Sequence, residues 1–220
     1  MARRLAGARG VKVGALLDRE SAADMTARAI RVEGRIRCPD PIVTPQADRL
    51  VAFHRDVEVR LADGAWRNIE RLRETRSFDL WDHDGWLAID PALAAEPLVV
   101  LPHIWEGAAD ELDEGYRPAL ERLRAEGRQI LAARAVTRMV SAVDRLQVLV
   151  RLRRDAAGEL RLVPPAGGFV ITNLELDEAM RLLGGPHRGR LLAGMGTTAL
   201  GLLAVLAGLL MLALRLITGA

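Results

Sequence analysis

Polar and apolar residues alternate cleanly from Ala29 to Arg37, where Ile30, Val32 and Ile36 face away from Arg31, Glu33, Arg35 and Arg37. A period of two predicts a strand with one dry and one wet face, and Pro39 and Pro41 end it. Leu50 to Leu61 repeats the pattern through Val51, Phe53, Val57, Val59 and Leu61, and Asp63-Gly64 is a hairpin signal leading into a third strand, Ala65 to Leu72. Phe78 to Trp81 and Trp86 to Ile89 flank a second such turn at Asp84-Gly85, and Leu98 to Leu101 reads as a short strand stopped by Pro102.

The period then changes. Tyr116, Leu120, Leu123, Ile130 and Leu131 fall on one side at helical spacing, with Pro118 in the first turn and the acidic run Asp110 to Glu114 at the positive end. Gly127 weakens the middle of this predicted helix. Alternation returns at Leu146, Val148 and Val150, a turn follows at Asp155 to Gly158, and strands are predicted at Leu160 to Leu162 and Phe169 to Ile171. Asn173 is placed to cap a closing helix, Leu174 to Leu183, which Gly184, Gly185 and Pro186 end. The expected fold class is α+β: a β-rich, barrel-like soluble domain with one amphipathic helix and one closing helix.

From Leu191 to Leu214 no residue is charged. A helix of that length is roughly 36 Å long, enough to cross a hydrocarbon core of about 30 Å with some tilt. The run carries no polar stripe beyond Thr197 and Thr198, so a transmembrane helix is expected. Arg188 and Arg190 flank it on one side and Arg215 alone on the other. That bias places the preceding domain in the cytoplasm. The expected organisation is a basic N-terminal arm (1–27), a soluble domain (28–185), a linker (186–190), the span (191–214) and a short tail (215–220). The arm carries Arg3, Arg4, Arg9 and Lys12 ahead of Val11 to Leu17, an apolar stretch too short and broken for an export signal.

Composition alters this picture little. The net charge of +2 gives no bulk electrostatic case for nucleic acid as a partner. A single cysteine, Cys38, excludes an internal disulfide. The expected partners are the lipid bilayer and a protein of unknown identity. Ala193, Thr197, Gly201, Ala204 and Gly208 offer a small-residue face through which two spans can pair as a homo-oligomer.

Reactive chemistry is sparse. Asp82-His83-Asp84 is the strongest metal-like cluster, but neighbouring strand residues point to opposite faces and Asp84-Gly85 is a turn, so a turn is the expectation. Ser21, Ser77 and Ser141 lie outside any nucleophile elbow, and Cys38 has no neighbouring histidine in sequence. Trp66, Trp81, Trp86 and Trp105 are expected at the core or its wet edge. No catalytic residue, metal site or cofactor is expected.

The stretch Arg76 to Asp90, with its Phe78-Asp79-Leu80-Trp81 and Asp84-Gly85-Trp86-Leu87-Ala88-Ile89 halves, resembles the signature of the GIDE family. Val32-Glu33-Gly34-Arg35-Ile36 resembles that family's opening strand. Asp144 to Val150 and Phe169 to Asn173 resemble its closing half, followed by a helix and a span. The resemblance implies a "beside-a-membrane" domain. Eukaryotic members of the family are organellar E3 ubiquitin ligases with a C-terminal RING and two spans. This sequence departs from them: it shows no N-terminal span and no RING cysteines and histidines, and has Ala142-Val143-Asp144 where Gly-Asp is expected. The resemblance therefore implies a non-catalytic, membrane-anchored binding or scaffold module. Ubiquitin transfer is an alternative by name whose activity is not expected, and a lipid or membrane-stress sensor is a further alternative.

Overall fold

The computed structural model describes residues 1–17, 28–154 and 160–185. In chain order the strands are β1 (Gly10–Lys12), β2 (Ile30–Arg37), β3 (Ile42–Val43), β4 (Arg49–Leu61), β5 (Trp66–Thr75), β6 (Phe78–Asp82), β7 (Gly85–Ile89), β8 (His103–Gly107), β9 (Ile130–Ser141), β10 (Arg145–Arg154), β11 (Leu160–Val163) and β12 (Val170–Thr172). The helices are α1 (Ala2–Ala6), α2 (Val13–Leu17), α3 (Arg117–Ala125) and α4, over residues 176–185. The fold is β-rich α+β, with a sheet curled into a half barrel.

That curled sheet runs β11-β10-β2-β6-β7, with β1 added to β2 and β12 to β10. Its register follows from the alternation in β2. Val32 pairs with Val148, and Ile36 with Leu80, on the inner face, while Arg35 stands between Trp81 and Arg145 on the outer. Val32, Leu80, Leu146, Val148 and Val150 are completely buried. Such a side chain contributes about 1.5–3 kcal/mol when taken out of water. The sheet curls until β7 approaches β11.

The second sheet runs β3-β4-β9-β8, with β5 following β3 along the edge of β4 opposite β9. Its frame is the long antiparallel ladder of β4 and β9, from Leu50↔Ser141 to Leu61↔Ile130. A register shift between Leu50 and Ala52 re-aims the start of β4. Val51 and Ala52 consequently both enter the first sheet's core, with Val140. At the far end Val59, Leu61 and Ala133 join Leu120 and Leu123 of α3 in a second core.

Several expectations are corrected. Residues 1–17, expected as a basic arm outside the soluble domain, pack against it. Gly10–Lys12 pairs in parallel with Arg31–Glu33, and Val13 and Leu16 are buried in the main core. Leu98 to Leu101 is not a strand. Leu98, Val99 and Val100 are buried as irregular chain, and the strand lies beyond Pro102, as β8. The amphipathic helix does not continue to Leu131: it stops at Ala125, and Ile130 opens β9. Gly127 is its terminator rather than a weak middle. Gly127 adopts φ +72°, its N–H bonds Arg124 O at 3.0 Å, and Arg128 N bonds Leu123 O at 3.0 Å. This is a Schellman stop, which favours glycine at the left-handed position. Asn173 does not cap the closing helix. Its Nδ2 donates instead to Asp144 Oδ2 at 2.9 Å, and that carboxylate also closes the Ser141–Asp144 turn by accepting from Ser141 N.

Among the described residues no helix is long and apolar enough to cross a membrane. The predicted span Leu191 to Leu214, its flanks Arg188, Arg190 and Arg215, the linker, the tail and the turn at Asp155 to Gly158 lie outside the described residues.

Because Leu16 is buried in the main core, Leu16→Ala should lower the unfolding free energy by about 2–4 kcal/mol in a urea titration. An unchanged midpoint would return the segment to the status of a free arm.

Candidate functional site

The residues singled out in the sequence lie at the tip of the β6–β7 hairpin. Asp82 pairs with Gly85, leaving His83 and Asp84 as the turn. The Asp82 carboxylate is already committed: Oδ1 accepts from Asp84 N at 3.0 Å and Oδ2 from Gly14 N at 2.7 Å. It closes the turn and ties α2 to the sheet. Among the described residues no three His, Cys, Asp or Glu side chains are grouped to hold a metal ion. Beside the turn lies a cleft of about 350 Å³ lined by Lys12, Arg35 and Arg145, by Glu33, Asp82 and Asp84, and by Trp81 and His83. The Arg145 guanidinium is 3.5 Å from Glu33.

The nucleophile candidates bond backbone only. Cys38 Sγ donates to Ser77 O at 3.6 Å, and Ser141 Oγ to Arg49 O at 3.4 Å. Ser21 lies outside the described residues. The tryptophans sit at wet edges rather than in the core. Trp66 lies under the guanidinium of Arg134 at 4.2 Å, Trp81 faces Trp86 across the hairpin, and Trp86 is exposed.

Sequence reasoning missed the chemistry of the second sheet. One face of β4 carries His54, Asp56, Glu58 and Arg60, because period-two alternation gives that face to polar residues. Neighbouring strands answer with opposite charge. Arg73 Nη2 contacts both oxygens of Asp56 at 2.8 and 3.0 Å, and Arg73 Nε donates to Glu96 at 3.0 Å. Arg71 also donates to Glu96, and Arg134 Nε donates to Glu58 at 2.7 Å. The Arg73 guanidinium holds the Glu96 carboxyl below its ordinary value. His54 is buried within this ladder, between Arg73 and Arg138 in register, and its Nδ1 has no partner. Burial and the Arg73 charge, with a smaller push from Arg138, lower the imidazole pKa despite the opposing Glu96 and Asp56.

The opposite face of the same sheet holds the candidate site. Arg55 stacks over Tyr116, 5.4 Å from the ring centroid, and reaches Asp113 at 3.6 Å. Tyr116 Oη donates to Glu70 at 2.5 Å; burial, together with that hydrogen bond, raises its pKa to about 12. Next to this anchor is a groove of about 320 Å³ lined by Arg55, His103, Trp105, Glu111, Asp113 and Thr137. Gly107 lies where Trp105 and Glu111 meet. A Cβ there would come within 2.5 Å of Glu111 Oε2 and 2.7 Å of Trp105 Cζ2, so ring and carboxylate close over the same backbone. An indole beside a carboxylate suits a cationic group. The apolar run Leu98 to Leu101 drew the strand prediction away from this place; the Ile104-Trp105 pair just beyond Pro102 was the usable signal.

Comparison with family models, curated proteins and solved structures finds no match for this chain.

Two titrations follow from these environments. Because folding lowers the His54 pKa, the unfolded chain binds the extra proton. Stability should therefore be intact above pH 6.5 and decline as pH falls below it, and His54→Gln should flatten that part of the urea-midpoint profile. An identical slope in the variant would refute the assignment. Tyr116 has the opposite sign: its folded pKa is raised, so stability should hold below pH 10 and fall toward pH 12, a decline absent in Tyr116→Phe.

Proposed function

We propose that the chain is a membrane-anchored, non-catalytic binding or scaffold module of the GIDE type, with its folded domain in the cytoplasm and its span at Leu191 to Leu214. The observation that carries the binding role is the groove between Trp105 and Asp113, which lies on a sheet braced by α3 on one side and by the ion-pair ladder on the other. A surface of this kind can hold a partner without rearrangement, which lowers the entropic cost of association. The anchoring rests on the sequence, in which 24 successive residues carry no ionised side chain. The GIDE resemblance supplies the order of strands, closing helix and span.

A lipid-sensing role is the second reading. It is favoured by the exposed Trp86 and by Lys12 and Arg35 beside Trp81, in a cleft that Glu33, Asp82 and Asp84 also line. Basic residues and interfacial tryptophans together suit an anionic bilayer surface.

Full-length protein should remain in the membrane pellet after alkaline carbonate and enter the supernatant only with detergent. Leu203→Arg combined with Leu206→Arg places two charges in the span, each costing about 2.5–3.5 kcal/mol at its centre. The double variant should move to the carbonate supernatant. Wild-type protein found there without detergent would defeat the anchoring proposal.

A further inference from the structure

The second sheet manages its two edges in opposite ways. An edge strand presents unpaired backbone N–H and C=O groups, and natural sheets blunt such edges with charge, shortness, bulges or cover. β5, at one edge, is crowded with Arg67, Glu70, Arg71, Arg73 and Glu74. In the curled sheet β7 and β11 approach one another, and β1, β3 and β12 are two or three residues long. β8 is protected less: Glu106 is its one carboxylate, and no bulge interrupts its pairing with β9. It pairs only with β9 among the described residues, its first four residues are exposed, and it reads His-Ile-Trp-Glu-Gly. Ile104 is 63% exposed, and Leu101 just before it is 56% exposed. The groove containing Trp105 and Glu111 lies over the sheet face beside this edge, lined by Arg55 of β4, Thr137 of β9 and His103 of β8.

We infer that β8 receives an extended, cationic segment of a partner protein, which adds to the sheet as a further strand. Backbone pairing to the β8 edge would supply affinity, and alternate side chains of the guest would reach opposite faces of the sheet. On one face they meet Trp105 and the Glu111 carboxylate, which has no ion-pair partner among the described residues; on the other they meet Ile104 and Glu106. Charge decides the occupant. Glu106 lies on β8 and Glu111 beside Trp105, and neither has an ion-pair partner among the described residues, whereas Asp113, Asp110 and Glu114 are paired with Arg55, Arg124 and Arg117. Two copies of β8 paired about Trp105 would bring these uncompensated carboxylates together, so a second copy of this chain is disfavoured and a basic guest favoured. The inference deepens the binding-module reading and rests on it.

The test uses the full chain in detergent micelles and three fluorescein-labelled peptides of about nine residues. One alternates Val and Arg, one alternates Val and Glu, and one is the Val/Arg peptide with alternate backbone nitrogens methylated. The Val/Arg peptide should bind about tenfold or more tighter than either comparator, and Glu111→Lys should erase most of that advantage. Hydrogen exchange at residues 103–107 should slow when the peptide is bound. Equal affinity for the Arg and Glu peptides overturns the inference, as does equal affinity for the methylated peptide or exchange at β8 that the peptide leaves unchanged. The anchoring reading is judged separately by carbonate extraction. A chain that stays in the membrane but shows no peptide preference loses only the strand-addition inference. A chain that leaves the membrane yet binds as expected keeps it.

Discussion

The ladder between β4 and β9 is the constraint on which the remaining structure depends. It is the longest pairing in the second sheet, and its two ends lie in different cores. At one end Val51, Ala52 and Val140 pack into the curled sheet; at the other Val59, Leu61 and Ala133 carry α3. Between the cores the ladder has two unlike faces. Ion pairs around Asp56 and Glu58 occupy one, and the Arg55–Tyr116 anchor the other. The groove beside β8 exists because β9 offers its far edge to β8 and because the acidic segment after Gly107 folds back toward Arg55.

The ion pairs should not be read as the main source of stability. Exposed pairs such as Arg124–Asp110 contribute at most about 1 kcal/mol. Arg73, Asp56 and Glu96 are better shielded, and their shared geometry fixes which strands lie side by side. His54 is the place where this arrangement carries a cost: an imidazole buried beside two guanidinium groups, with one nitrogen unpartnered, tolerates no added proton easily.

Much of the strand framework was legible in the chain. β2, β4, β6 and β7 follow directly from alternation and from the Asp63-Gly64 and Asp84-Gly85 turns. The failures have identifiable physical causes. Leu98-Val99-Val100 looks like a strand because it is apolar, yet it is buried as irregular chain, with Val99 N bonding Ile171 O at 3.1 Å. Ile130 and Leu131 are compatible with either period, and only the left-handed turn at Gly127 separates α3 from β9. The N-terminal segment was read by its charges, whereas Val13 and Leu16 determine its place. The groove was invisible because Arg55 lies far in sequence from Trp105, Glu111 and Asp113 and meets them only through the β4–β9–β8 register.

A single rigid frame joining both cores makes a direct demand on hydrogen exchange in the native full-length chain. Amides of Val57, Val59, Ala133 and Ala135 should open only with global unfolding, with the same free energy as those of Val32 and Val148 in the curled sheet. If the β4–β9 amides exchanged through a separate opening of much lower free energy, the two cores would be independent and the account of a shared frame would fail.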